Sequence, residues 1–348
     1  MSIRRSVATG AIAAVVGLSC ALPVAAQGQG RGGAQAQGGG AAQAQGGGAP
    51  AAQGGGRGGG RGGGFGGGAP PFTPEPDAKD MKAVLYNWTW HLGMLRGQNE
   101  PELIGTLKYD GEGTVQIDGQ PCTLTKYHVD ANYQIPGART EIECKRSNGS
   151  TYKNVETFAG RYVWDEDRPG AELVPGEGKA TSKNAAALEE RMIRLWANPH
   201  GAAKAAIAAA AGVTIEDEFV QNPATLLDKQ AAAGVKGTAT LAWEGKSAIV
   251  TYPFPGIAGA TTTVTLGEKY LPERIVVKHG SNTTEFVYSD FADFNNPLAK
   301  IEALWPGRIV ESRNGKVVRD TKTTLTQIYQ LYTPIPVPAS VKKAGPIK

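Results

Sequence analysis

The sequence predicts an α+β fold in which an antiparallel sheet is covered by helices. Three observations lead there. Two blocks of period-two alternation, roughly 103–164 and 236–329, are cut at intervals by glycine-containing turn pairs. Segments with apolar residues at three- and four-residue steps lie before and between those blocks, which is helical spacing. Strands and helices come in runs rather than in strict alternation, so the strands pair with their sequence neighbours.

The chain has 348 residues, and its beginning is unlike the rest. Residues 1–26 read as a signal peptide. Arg4 and Arg5 form a charged start, Ala8 to Leu22 is mostly apolar, and Val24-Ala25-Ala26 is a small-residue cleavage site before Gln27. A retained membrane anchor is the alternative, which Gly10, Gly17 and Pro23 disfavour by breaking the apolar stretch. Ser6-Val7-Ala8 after the arginine pair matches a twin-arginine signal poorly, which favours the general secretory route. Gly17-Leu18-Ser19 is a weak lead-in for lipidation of Cys20. The expected location is the periplasm or the extracellular space. Residues 27–76 read as a disordered Gly/Ala/Gln-rich linker. Glycine makes up 22 of residues 27–70, a composition with too little to bury to offset its chain entropy. Arg31, Arg57 and Arg61 are too few for a polyanion binder, so the segment reads as a tether.

Residues 77–341 read as the folded domain, with a short tail at 342–348. Its first element is a helix: Met81, Val84, Leu85, Trp88, Leu92 and Leu95 form one stripe. Asp77 is the expected N-cap, Asp80 the N3 residue and Gly97 the stop. Trp88 lies on the stripe and is expected in the core; Trp90 lies off it. Asp118-Gly119, Asn148-Gly149 and Ala159-Gly160 then mark hairpins. In 138–145, Ala138, Thr140, Ile142 and Cys144 face one way and Arg139, Glu141, Glu143 and Lys145 the other, as in a strand with one wet face. A polar loop follows at Asp165 to Lys179. Helices are expected at 184–196, from Asn198-Pro199 to Ala211 with Gly212 as stop, and at 223–233 behind Asn222. Strands return near 236–243, 246–253, 261–267, 272–279, 283–289, 304–312 and 317–329. The prolines at 334, 336 and 338 exclude a central strand there.

Charge and motifs exclude several functions. The first 70 residues hold five arginines and no acid, so 31 of the 36 basic residues face all 32 acidic ones in the remainder. That balance gives no basic footprint for nucleic acid. No apolar run of about 18 residues lies outside the leader, so an integral helical membrane protein is not expected. His91, His128, His200 and His279 are scattered, with no HxH, HExxH or HxHxDH spacing. A nucleophile elbow, a phosphate loop and a dinucleotide fingerprint are all missing. Asp165-Glu166-Asp167 lacks calcium-loop spacing and reads as a solvated turn. No catalytic, cofactor or metal residue is therefore assigned, and the chain is read as a non-enzyme.

Cys122 and Cys144 are the two cysteines left after signal removal, an even number for an oxidising compartment. The absence of Cys-x-x-Cys argues against a redox pair. A hairpin folded about residue 133 places residues opposite one another when their numbers sum to 266, so Cys122 faces Cys144 and Leu124 faces Ile142. A disulfide between Cys122 and Cys144 is expected in that register, with two buried free thiols as the alternative.

The order of elements resembles the half-barrel superfamily of the lipoprotein carriers LolA and LolB. Several stretches also resemble a domain of secreted bacterial proteins that often precedes a metallo-β-lactamase-type domain. They are Tyr133-Gln-Ile-Pro-Gly-Ala-Arg139-Thr-Glu141, Gly160-Arg-Tyr-Val-Trp164, Arg194-Leu-Trp-Ala-Asn-Pro-His-Gly201, Phe286-Val-Tyr-Ser-Asp-Phe291 and Val337-Pro-Ala-Ser-Val341. The resemblance implies a curved antiparallel sheet, a half-barrel lidded by helices. The chain has no HxHxDH, so hydrolysis does not carry over. The expected function is binding of a lipid or other apolar or amphipathic ligand in the half-barrel cavity. The alternative is a cell-envelope accessory domain with a protein partner, acting beside a separate metallo-hydrolase. No ligand-binding residue maps across from the family.

The signal reading gives a first prediction. N-terminal peptide mass spectrometry of the exported protein finds Gln27, free or cyclised to pyroglutamate; a retained Met1 or a lipid on Cys20 overturns it.

Overall fold

The computed structural model describes residues 78–95, 104–215, 223–296, 303–328 and 333–348, and the signal, linker, Asp77, Gly97 and Asn222 expectations lie outside them. The chain runs α1 (Met81–His91), then β1 (Thr106–Ile117), β2 (Gln120–Asn132), β3 (Gly137–Arg146), β4 (Thr151–Ala159), β5 (Tyr162–Glu166) and β6 (Ala180–Ser182). Three helices follow: α2 (Ala185–Trp196), α3 (Pro199–Ala211) and α4 (Pro223–Ala232). The second run is β7 (Thr240–Glu244), β8 (Ser247–Pro253), β9 (Thr261–Leu266), β10 (Pro272–His279), β11 (Asn282–Ser289), β12 (Arg308–Arg313) and β13 (Lys316–Ile328), and α5 (Ala339–Ala344) ends it.

All thirteen strands form one antiparallel sheet, ordered β6-β5-β4-β3-β2-β1-β13-β12-β11-β10-β9-β8-β7. Two meanders thus start at a shared seam, β1 against β13, and spread outward to the edges β6 and β7. The hairpins form where turn chemistry places them. Asp118-Gly119 (φ 54 and 74) and Asn314-Gly315 (φ 48 and 77) supply the paired positive φ angles of two-residue turns. The α2–α4 run carries the chain from one sheet edge to the other.

Local capping sets the helices. Asp80 Oδ1 accepts from Ala83 N at 2.8 Å, so Asp80 is the N-cap of α1 and not its N3 residue. Asn184 caps α2, accepting from Ala187 N at 3.1 Å. Asn198 Oδ1 accepts from Gly201 N (2.9 Å) and from the Tyr133 hydroxyl (2.7 Å), while its Nδ2 donates to Leu195 O (2.7 Å). One side chain therefore starts α3, closes α2 and ties both to the loop after β2. Gly212, at φ 70, closes α3 in the left-handed conformation.

The helices bury against one face of the sheet. Leu107, Phe158 and Val163 from the first meander, and Val250, Val264, Ile275 and Phe286 from the second, join Leu188, Leu195, Ala202 and Ile207 in one core. Trp88 sits fully buried in it, as its stripe position requires. Each large side chain so buried contributes about 1.5–3 kcal/mol. The other face is covered at one side by the chain's end. Val341 of α5, with Ile335 and Val337, packs on Trp164, Ala159 and Ala180. Ile347 N donates to Arg161 O at 2.8 Å. The segment 342–348 thus begins inside α5 and ends on Arg161. That six-residue helix is too short to leave a periodicity. The strands expected from 236 and 304 begin at Thr240 and Arg308.

Cys122 and Cys144 are joined, with Cα atoms 5.5 Å apart, but in a register other than the expected one. Cys122 lies opposite Arg146 and Leu124 opposite Cys144, so the bridge is diagonal. Two features shift the ladder. The turn is Tyr133–Pro136, pinned by Asn132 Oδ1, which accepts from Gln134 N (3.0 Å) and Ile135 N (2.9 Å). A bulge at Thr125 then inserts one residue between Leu124 and Lys126. The second prediction rests on this bridge, which closes a loop with a sequence separation of 22. Replacing both cysteines by alanine lowers unfolding stability by roughly 3 kcal/mol in the loop-entropy model, read from denaturant midpoints. A loss under about 1 kcal/mol means that the ladder alone constrains this hairpin.

Candidate functional site

The place where a ligand cavity is expected, between sheet and helices, is occupied by charge and aromatic rings. Arg194 of α2 donates from Nη1 to Glu156 Oε2 of β4 (2.5 Å), from Nε to Glu311 Oε2 of β12 (3.3 Å), and from Nη2 to Glu190. Arg313 binds Glu311 Oε1 and Glu190 Oε1, both at 2.7 Å. Arg319 of β13 donates to the Tyr127 hydroxyl. Burial works to raise the Glu190 carboxyl, yet Arg194 and Arg313 outweigh it and hold its pKa at about 2. Glu311 is held below the usual carboxylate range in the same way: burial opposes, and Arg194, Arg319 and Arg313 prevail. The void bounded by Tyr109, Tyr127, Glu156, Arg194 and Asn198 has a volume of ≈ 20 Å³. That is room for about one water and none for an acyl chain.

A larger opening lies at one end of the sheet. A groove of ≈ 690 Å³ is lined by Ala78, Lys79, Trp243, Gly245, Lys246, Glu268 and Tyr270. Three segments meet there: the residues leading into α1, the β7–β8 turn and the β9–β10 connection. Trp243 is 40 % exposed although its cross-strand partner Ala248 is buried. Tyr270 has a left-handed backbone (φ 55), a conformation that costs a bulky residue about 1–3 kcal/mol and that concentrates at functional positions. Its ring stacks on His91 at 6.3 Å, and its hydroxyl donates to Ala78 O at 3.4 Å. Lys246 and Glu268 pair at 3.0 Å on the rim. Tyr270 itself is buried, so the groove offers the exposed Trp243 ring above it and a charged rim, which suit an apolar body carrying a polar head.

The residues singled out from sequence are dispersed. Asp165 pairs with Arg191 and with Lys183 (3.1 Å). Glu166 accepts from Trp164 Nε1 and Gly170 N, both at 2.7 Å, and Asp167 accepts from Lys179 N at 2.9 Å. All three acids of that run hold the loop in place. Trp90 lies edge-on to His91 at 5.2 Å. Among the described residues no three His, Cys, Asp or Glu side chains converge to hold a metal ion, and no helix is long and apolar enough to cross a membrane. The groove was missed because its aromatics stand 27 residues apart, beside two separate turns. No family model matches the chain, and no curated protein matches it.

Two histidines make stability depend on pH in opposite directions. His200 is buried, stacked on Trp305 at 5.4 Å. Burial, with the Lys204 charge adding to it, lowers its pKa from 6.5 to about 3. Below pH 6.5 the unfolded chain takes a proton that folded His200 refuses, so stability falls from 6.5 towards 3. His128 stands between Asp110 (Nδ1–Oδ1 2.5 Å) and Asp130 (Nε2–Oδ1 3.4 Å). Asp130 first, then Asp110, raise its pKa to about 8 against the cost of burial. Its stabilisation is complete below 6.5 and disappears as pH rises through 8. The third prediction is a stability maximum near pH 6.5 in denaturant titrations. His128→Asn flattens the limb from 6.5 to 8, by on the order of 1 kcal/mol. His200→Gln flattens the limb from 6.5 to 4.5, above the range in which Glu190 titrates.

Proposed function

We propose that this protein is an exported, non-enzymatic binding protein of the half-barrel type, which takes an apolar or amphipathic ligand at the mouth of its sheet. The observation that carries the reading is the groove lined by Trp243 and Tyr270, whose ≈ 690 Å³ lies in the size range of small-molecule sites. Lys246 is paired with Glu268, and Lys79 beside them is the rim charge that favours an anionic head group such as a carboxylate or phosphate. Curvature of the sheet is supported by Arg194. Glu156 and Glu311 belong to strands five steps apart in the sheet order. A flat sheet would separate those strands by about 24 Å, too far for one guanidinium to bind both carboxylates. A sheet curled towards the helices brings them together. The disulfide between Cys122 and Cys144 suits an oxidising compartment. The alternative, an envelope interaction domain, draws on a different feature, the open β7 edge.

The fourth prediction tests the groove. Oleate and a single-chain phospholipid, titrated into the mature protein below their micellar concentrations, shift its tryptophan emission and saturate. Trp243→Phe removes most of the shift while keeping binding by calorimetry. Tyr270→Ala with Trp243→Ala weakens binding at least tenfold. Binding that survives this double change, or no binding of either probe, rules the groove out. Native mass spectrometry of protein from its own host adds a direct readout, a co-purifying lipid mass.

A further inference from the structure

The two ends of the sheet are finished differently. The β6 edge is three residues long, and α5 packs against it. The β7 edge has five residues, Thr240-Leu-Ala-Trp-Glu244, with no proline, lysine or bulge, and its one charge, Glu244, sits at the turn end. Register shows which of its groups are open. The turn Gly245-Lys246 joins Glu244 to Ser247, the hydrogen-bonded pair that closes a two-residue hairpin. Alternation then makes Ala242–Ile249 and Thr240–Thr251 bonded pairs as well. The N–H and C=O groups of Leu241 and Trp243 therefore point away from the sheet, and among the described residues none of them has a partner.

We infer that β7 pairs edge to edge with β7 of a second copy of this chain, antiparallel about a two-fold axis at Ala242. The strand is self-complementary in that register. Leu241 of one copy meets Trp243 of the other, and each such pair exchanges its outward N–H and C=O, giving about four main-chain hydrogen bonds. Leu241 and Trp243 both lean to the helix side of the sheet, opposite buried Val250 and Ala248. Each thus gains an apolar cross-strand neighbour on the exposed flank. Charge permits it too: the only ionised residue of the strand, Glu244, falls opposite Thr240 and not opposite its own copy. An interface closed by one two-fold axis does not propagate, which lets an unprotected edge exist without forming fibres. The contact is small, below the ~1,200 Å² of a standard interface, so the dimer is weak and forms at high local concentration.

The test uses the mature chain from Gln27 in sedimentation equilibrium. The average mass rises from one towards two copies between roughly 10 μM and 1 mM. Leu241→Pro removes an outward N–H and leaves the β8 pairing intact, so it abolishes the rise. Ala242 is exposed and lies on the axis, so Ala242→Lys and Ala242→Glu each set like charges face to face at a wide pair. Each variant alone stays monomeric, and the two mixed together associate again as a one-to-one heterodimer by native mass spectrometry. Circular dichroism and melting of the single variants show that the monomer fold is unchanged. A chain that stays monomeric to 1 mM overturns the inference. So does self-association that both Ala242 variants leave intact, or a mixture that fails to recover it.

Discussion

A single guanidinium joins the two halves of this molecule. Arg194 holds Glu156 from the first meander and Glu311 from the second, with Glu190 from its own helix beside them. Three carboxylates around one buried cation would be costly alone, and Arg313 and Arg319 restore the balance. Because Glu311 and Arg319 are buried and the other members partly so, a displaced partner leaves Glu311 as an uncompensated charge in low dielectric. It therefore fixes where α2 lies over the sheet. Through Asn198, which ends α2 and begins α3, it fixes α3 as well.

The seam at β1 and β13 depends on that placement. Each meander is built from pairings between sequence neighbours, which close short loops. The seam instead joins residues more than 200 positions apart, Leu107 to Ile328 and Val115 to Arg319. Its closure cost is repaid when the helices between the meanders bring both blocks to the same core. Arg319 shows the coupling. It sits at the seam, bonds the Tyr127 hydroxyl of β2 and lies near Glu311 of β12, so seam and network share a residue.

What the sequence made legible is what local chemistry dictates. The hairpins at Asp118-Gly119 and Asn314-Gly315 and the caps at Asn198 and Gly212 are local choices with few alternatives. The β2–β3 register is not, since it depends on an Asx turn at Asn132 and a bulge at Thr125 that leave no pattern in the residue order. The cysteine pairing was legible and its register was not, because a diagonal bridge and a direct one suit the same two residues. The start of α1 lies at Asp80, the position expected to be N3 behind an Asp77 cap, because periodicity alone does not fix where a helix begins. The ion network was invisible for another reason: Glu156, Arg194 and Glu311 look like ordinary wet-face residues until the fold brings them together.

The alanine-rich helix explains why α3 lies close to the sheet among the described residues. Eleven of its thirteen residues are buried, most of them alanine, so its backbone can lie close to the strands. Tyr252 reaches it with its hydroxyl, donating to Ala202 O (3.1 Å), and Tyr288 donates to Ala197 O (2.5 Å) at the end of α2. Glycines also let α2 and the loop before β7 come close to this helix. A Cβ on Gly201 would fall 2.3 Å from Leu195 O, and one on Gly237 would fall 1.9 Å from Ala210 O. A carrier with an acyl-sized interior needs the opposite: bulky helix side chains that hold the lid away from the sheet. Here small residues, tyrosine hydroxyls and buried ion pairs draw the lid in. The large aromatic side chain left open is at the end of the sheet, where Trp243 is 40 % exposed above the buried Tyr270.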